Sequence, residues 1–148
     1  MSIEKPFDRM PTPVRTARVD GMHVNVDRLI ELTTGLSAEI VSVNNFEAIR
    51  QHDRGWRLDD GTAIGPAQLI VLGMACHGDF GLMKQEKPEW ADDIERAKTA
   101  NTDMPILVLA DSFSVIDGMH RLTKIFIQGG SEVRVKIISP DLLAACHI

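Results

Sequence analysis

Five consecutive residues, Asp117-Gly118-Met119-His120-Arg121, place three ionisable side chains and a glycine between two apolar runs. Val115-Ile116 precedes them, and Leu122 with Ile125-Phe126 follows. The pattern predicts a strand, a tight turn and a helix start. A helix start leaves backbone N–H groups unpaired and carries partial positive charge. It therefore attracts phosphate or another anion. Gly118 lacks a Cβ, so a ligand or another backbone segment can approach closely. Arg121 offers a planar fork of donors suited to phosphate oxygens. His120 can donate, accept or transfer a proton near neutral pH. Asp117 can cap the helix, hold a metal ion or accept a proton. Lys124 lies one turn beyond Arg121 on the same helix face. A structural account of the same residues also exists. Asp followed by Gly is ordinary helix-start chemistry, and Arg121 can close an internal salt bridge with Asp117 or Glu132.

The elements around this turn follow from periodicity. Trp90, Ile94 and Ala97 fall at i, i+4 and i+7, which predicts an amphipathic helix over 89–100. Pro105 stops it, and the apolar run Ile106–Leu109 predicts an inner strand over 105–109. Asp111-Ser112 turns the chain into a strand over 113–117. A helix over 119–128 ends at Gly129-Gly130. Val133, Val135 and Ile137 alternate with charged residues in a last strand over 132–138.

Earlier segments give weaker signals. Pro6, Pro11 and Pro13 make residues 1–22 an extended arm, wrapped on the domain or exchanged in a homodimer. His23–Val26 alternates as a strand. Asp27 is placed to cap a helix carrying Leu29, Leu32 and Leu36. Ile40–Val43 reads as a strand, and Asn44 with Glu47 has capping-box spacing for a short helix through Ile49. Asp60-Gly61 signals a hairpin. Residues 66–77 form an all-round apolar segment, expected as a buried helix with Gly73 its weak point. Residues 78–88, with Gly78, Gly81 and Pro88, are expected as a loop that can act as a lid. His77 and Asp79 beside it read as a helix stop, and Trp56 and Trp90 as core or rim aromatics.

Composition sets the limits. The 148 residues suit one domain, and 44% hydrophobic with 25% charged residues is globular usage. A net charge of −5 argues against a surface-wide nucleic-acid binder. No apolar run approaches the ~18 residues of a membrane span, and the N-terminus has no signal-peptide core. Two cysteines make no disulfide framework, so a reducing cytoplasm is expected. The adjacent pairs Cys76-His77 and Cys146-His147 lack the two-to-four-residue ligand spacing usual for zinc.

Three segments together resemble the ParB/sulfiredoxin superfamily: Pro105–Val108, then Val115–Lys124 with its D-G-x-H-R turn, then Val133–Ile137. The resemblance covers roughly 89–139, with His23–Leu29 similar to the family's opening strand. Residues 36–88 are then an unassigned insertion in a single domain over 23–148. It implies an α/β (α+β) fold, a mixed sheet with helices packed on it. It further implies a nucleotide (ATP, ADP or CTP) with Mg²⁺ held at Gly118, Met119, His120, Arg121 and Lys124. Asp117 and His120 would act in catalysis, with Glu31 the candidate base by position. Sulfiredoxins carry a catalytic Cys where this chain has Met119, and a thioether cannot replace a thiolate. Chromosome-partitioning ParB proteins add a helix-turn-helix domain, for which this sequence leaves no room after its last strand. The free-standing kinases of the superfamily that act on free serine carry D-G-H-H-R, matched here except at Met119. These branches imply a phosphotransferase or NTPase acting on a small-molecule substrate. The alternative is a non-enzymatic partner- or DNA-binding module, or a ParB-like nuclease, which the acidic charge disfavours.

Overall fold

The computed structural model describes residues 15–19 and 21–148. In chain order the elements are β1 (Thr16–Val19), β2 (Met22–Asn25), α1 (Val26–Leu32), β3 (Glu39–Ser42) and a 3-10 stretch (Val43–Gln51). Then come β4 (Trp56–Arg57), β5 (Ala63–Ile64), α2 (Pro66–Ala75), α3 (Phe80–Glu86) and a 3-10 turn (Pro88–Trp90). The chain closes with α4 (Ala91–Thr99), β6 (Ile106–Leu109), β7 (Val115–Asp117), α5 (Met119–Ile127), β8 (Glu132–Ile138) and α6 (Pro140–Ala144). The fold is α/β with a mixed four-stranded sheet in the order β3-β8-β6-β7. Only the β6–β8 pair is parallel; β3–β8 and β6–β7 are antiparallel.

The pleat of β6 explains the layering, because successive side chains leave a strand on opposite faces. Ile106 and Val108 join Val133 and Val135 under α2, α4 and α5, where Leu69, Ile94, Leu122 and Phe126 are buried. Leu107 and Leu109 face the other way, toward Val24, Leu29 and Leu143 of β2, α1 and α6. The sheet is thus covered on both faces, as its fully apolar inner strand requires.

Most expected elements near the D-G-x-H-R turn appear within two residues of their expected bounds. Elsewhere the structure corrects the reading. Part of the expected arm is a strand: Thr16–Val19 pairs with Met22–Asn25 through a turn at Gly21 (φ 79°). The rest of that arm, residues 1–14 and Asp20, lies outside the described residues. Asn25, not Asp27, caps α1 by accepting from the Arg28 N–H. Asp27 instead accepts from the Arg15 backbone and guanidinium, which hold its carboxyl below the usual range. Leu32 and Leu36 are exposed, because α1 stops at Leu32 and buries Val26, Leu29 and Thr33. The Thr33 hydroxyl donates to the Leu29 carbonyl at 2.8 Å. The 3-10 stretch after β3 is capped by Ser42 rather than by Asn44.

Residues 78–88 are not a loop. Asp79 caps α3 by accepting from the Leu82 N–H, and the helix buries Met83 completely. α2 is helical but not buried all round: Val71 is 68% and Met74 59% exposed. Gly73 is where α2 meets α5; a Cβ there would lie 2.8 Å from two Ile127 carbons. No helix among the described residues is long and apolar enough to cross a membrane.

Candidate functional site

The turn between β7 and α5 opens on a cleft of about 880 Å³. Its walls come from β1, the chain before and within β4, the end of α4, and residues 115–121. Five arginines line it, Arg15, Arg18, Arg54, Arg96 and Arg121, with His52 and His120. Among the described residues, Asp117 is the only carboxylate in the lining.

Gly118 makes the turn possible. It is the N-cap of α5 at φ 106° and ψ 23°, and no side chain caps the helix. A Cβ there would stand 2.5 Å from Ile106 Cγ2 and 2.8 Å from Arg121 Nη2. The position therefore needs glycine for both its backbone angle and its packing. Asp117 does not cap the helix. Its carboxylate accepts from Arg121 Nη2 at 3.1 Å, and Arg15 Nη1 lies 3.6 Å from its other oxygen.

Arg121 answers to both readings of the sequence. It closes the internal ion pair with Asp117, and its side chain is only 16% exposed. Its Nε, however, is buried with no hydrogen-bond partner. A buried donor left unpaired costs about 1–3 kcal/mol. Glu132, the other partner considered, makes no ion pair with Arg121 among the described residues.

His120 is fixed from two sides. Its Nε2 lies 3.1 Å from Asp93 Oδ1, on the first turn of α4. The Trp56 ring stacks on the imidazole at 4.1 Å between centroids and 14° between planes. Burial pushes His120 below the ordinary imidazole value; the Asp93 hydrogen bond and charge offset part of this, and Arg96 adds to the lowering. A histidine depressed in this way gives up its proton at a lower pH than a free one. As the pH falls from the ordinary imidazole range toward the lower folded value, the unfolded chain takes up a proton that the folded one does not, so His120 favours unfolding across that window.

The structure separates the other expected site residues. Met119 and Gly118 line the cleft with Asp117, His120 and Arg121. Lys124 does not; its Nζ donates to the Lys98 and Ala100 carbonyls at 2.8 and 3.0 Å, closing the C-terminal end of α4. Glu31 is exposed on α1, which packs against the opposite face of the sheet, and does not line the cleft. His77 and Asp79 are also absent from its walls. Cys76 and Cys146 are buried, free, and in different cores.

Several cleft residues carry no local signature in the sequence. Arg15, Arg18, Arg54 and Arg96 come from three separate stretches of chain, and no local pattern links them. Trp56 reads as a hairpin aromatic until its partner is known. Asp93 did leave a signal: it sits three residues after Trp90 and four before Ala97, on the buried side of α4.

A second recess of about 300 Å³ adjoins the cleft and shares Arg18, His52, Val115 and Met119 with it. Its floor includes Phe46, Ile49, Phe113 and Leu122, and its rim Asn45 and Ser112. Phe46 and Phe113 stack at 5.8 Å. The two spaces together suit a ligand that is anionic at one end and apolar at the other.

Compared with protein-family models, with curated proteins and with solved structures, the chain matches none of them.

Proposed function

We propose that the chain is a nucleotide-binding domain of the ParB/sulfiredoxin type, acting as an ATP- or ADP-dependent small-molecule phosphotransferase or as an NTPase. One observation carries this reading. Among the described residues, a chain of net charge −5 lines the cleft at the D-G-x-H-R turn with five arginines and one carboxylate, Arg15 being paired in addition with Asp27 outside the lining. Arginine is the side chain best matched to phosphate oxygens, and a helix start supplies further donors. The adjoining recess, floored by Phe46 and Phe113, gives a nucleobase an apolar seat and favours a nucleotide over free phosphate. Mg²⁺ is usually held by one or two carboxylates together with phosphate oxygens and water; Asp117 would serve there only by giving up Arg121 or Arg15, and the metal would then be held chiefly by the nucleotide's own phosphates. The chemistry would then rest on positioning and charge neutralisation. The free, buried cysteines suit a cytoplasmic protein.

Thermal denaturation with inorganic phosphate, ATP, ADP, CTP and a short DNA duplex, each with and without Mg²⁺, tests this. A ligand at about 100 times its Kd adds roughly 2.7 kcal/mol to stability. A nucleotide should raise the melting temperature more than phosphate at equal concentration. Stabilisation by DNA alone would support the non-enzymatic nucleic-acid module, and no stabilisation by any of them would remove the phosphate site.

A further inference from the structure

We propose that His120 is a phosphoryl-accepting nucleophile and that Asp93 is its positioning residue. The inference rests on the reading of the cleft as a phosphate site and adds a covalent step to it.

The observation is a cluster that simple phosphate binding does not need. Asp93 is 5% exposed, a buried carboxylate whose one side-chain partner among the described residues is His120 Nε2. A carboxylate oxygen can only accept, so Nε2 carries the ring proton. That leaves the lone pair on Nδ1, which has no hydrogen-bond partner among the described residues, on a ring that lines the cleft. Trp56 stacked on one face prevents the ring from turning freely. A histidine meant only to hold phosphate would serve best protonated and free to point both N–H groups at oxygens. Here one nitrogen is committed to Asp93, and burial disfavours a second ring proton. A neutral imidazole with one N–H held by a carboxylate and the other nitrogen bare is arranged as a nucleophile.

The step balances with a nucleoside triphosphate as donor. The Nδ1 lone pair attacks the terminal phosphorus, an N–P bond forms, and the P–O bond to the nucleoside diphosphate breaks. The departing oxygen takes the bonding electrons, and the cleft arginines meet its charge. The proton stays on Nε2, and Asp93 balances the cationic phosphoimidazole. Attack on phosphorus by water or by a small-molecule hydroxyl then breaks the N–P bond, returns the electron pair to Nδ1, and releases the hydroxyl's proton to solvent.

The test uses the full chain with ATP or CTP labelled in the terminal phosphate, with Mg²⁺, alongside a separate measurement of nucleotide binding. Label that is acid-labile, alkali-stable, mapped to His120 and lost in His120→Gln is the expected result. Asp93→Asn should keep nucleotide binding and lower the labelling rate by at least about tenfold. Binding without label on His120 would overturn the nucleophile while leaving the nucleotide site standing. Absence of nucleotide binding would remove both. Unchanged labelling in Asp93→Asn would overturn the role of Asp93. Should Asp93→Asn not fold, the ¹⁵N shifts of the imidazole in the unmodified protein decide it: the proton on Nε2 is expected, and a proton on Nδ1 would overturn it.

Discussion

Arg121→Ala should weaken ATP or CTP binding by roughly 10- to 150-fold. A charge-assisted, forked contact to phosphate is worth on the order of 1.5–3 kcal/mol, which is that range. The geometry makes Arg121 the strongest candidate among the five cleft arginines. Its side chain is 16% exposed, and Asp117 fixes one arm of the fork at 3.1 Å. Its Nε remains buried and unpaired. Arg121→Lys should recover only part of the affinity, because an ammonium cannot reproduce the fork. The ion pair adds a second effect. Among the described residues, removing Arg121 leaves Asp117 with Arg15 at 3.6 Å as its remaining cation, so some loss of thermal stability should accompany the loss of binding. Isothermal titration and melting temperature on the same variant separate the two. A folded Arg121→Ala protein with unchanged nucleotide affinity would reduce Arg121 to an internal ion pair.

Gly118→Ala should destabilise the fold by about 2–5 kcal/mol, a large share of the 5–15 kcal/mol typical of a domain. Two costs add. The residue sits at φ 106°, where a Cβ adds roughly 1–2 kcal/mol of steric strain. The new carbon would also stand 2.5 Å from Ile106 Cγ2, and forcing such overpacking costs typically 1–3 kcal/mol. Ile106 belongs to the inner strand β6 and is 1% exposed, so it has little room to retreat. Urea denaturation should show a lower midpoint with an unchanged slope. A loss below 1 kcal/mol would mean that the turn relaxes easily and is not held by β6.

How much of this was legible in the sequence depended on how local each signal was. The strand, turn and helix around Asp117–Arg121 were readable because the period changes from two to 3.6 there, with Pro105 and Gly129-Gly130 as punctuation. α3 was missed because its seven residues begin with Phe80-Gly81, and the buried Met83 that holds it in place is a tertiary fact. Leu32 and Leu36 looked like a helix stripe, but Thr33 takes the buried place one turn on from Leu29. Lys124 shares a helix face with Arg121 by spacing, yet the carbonyls at the end of α4 capture it. The basic character of the cleft could not be read at all. Its arginines lie at 15, 18, 54, 96 and 121, and only the fold brings them together.

A nucleotide bound as proposed sits with its phosphates against the β7–α5 turn. Titrating ATP and CTP, with Mg²⁺, into uniformly ¹⁵N-labelled protein tests it most directly, residue by residue. The largest shifts should fall on the Gly118, Met119 and His120 amides and on the Arg121 Nε–H, with the Trp56 indole responding through its stack on His120. Saturable shifts confined to the exposed α2 face around Val71 and Met74, or no shifts at the turn at millimolar nucleotide, would contradict it.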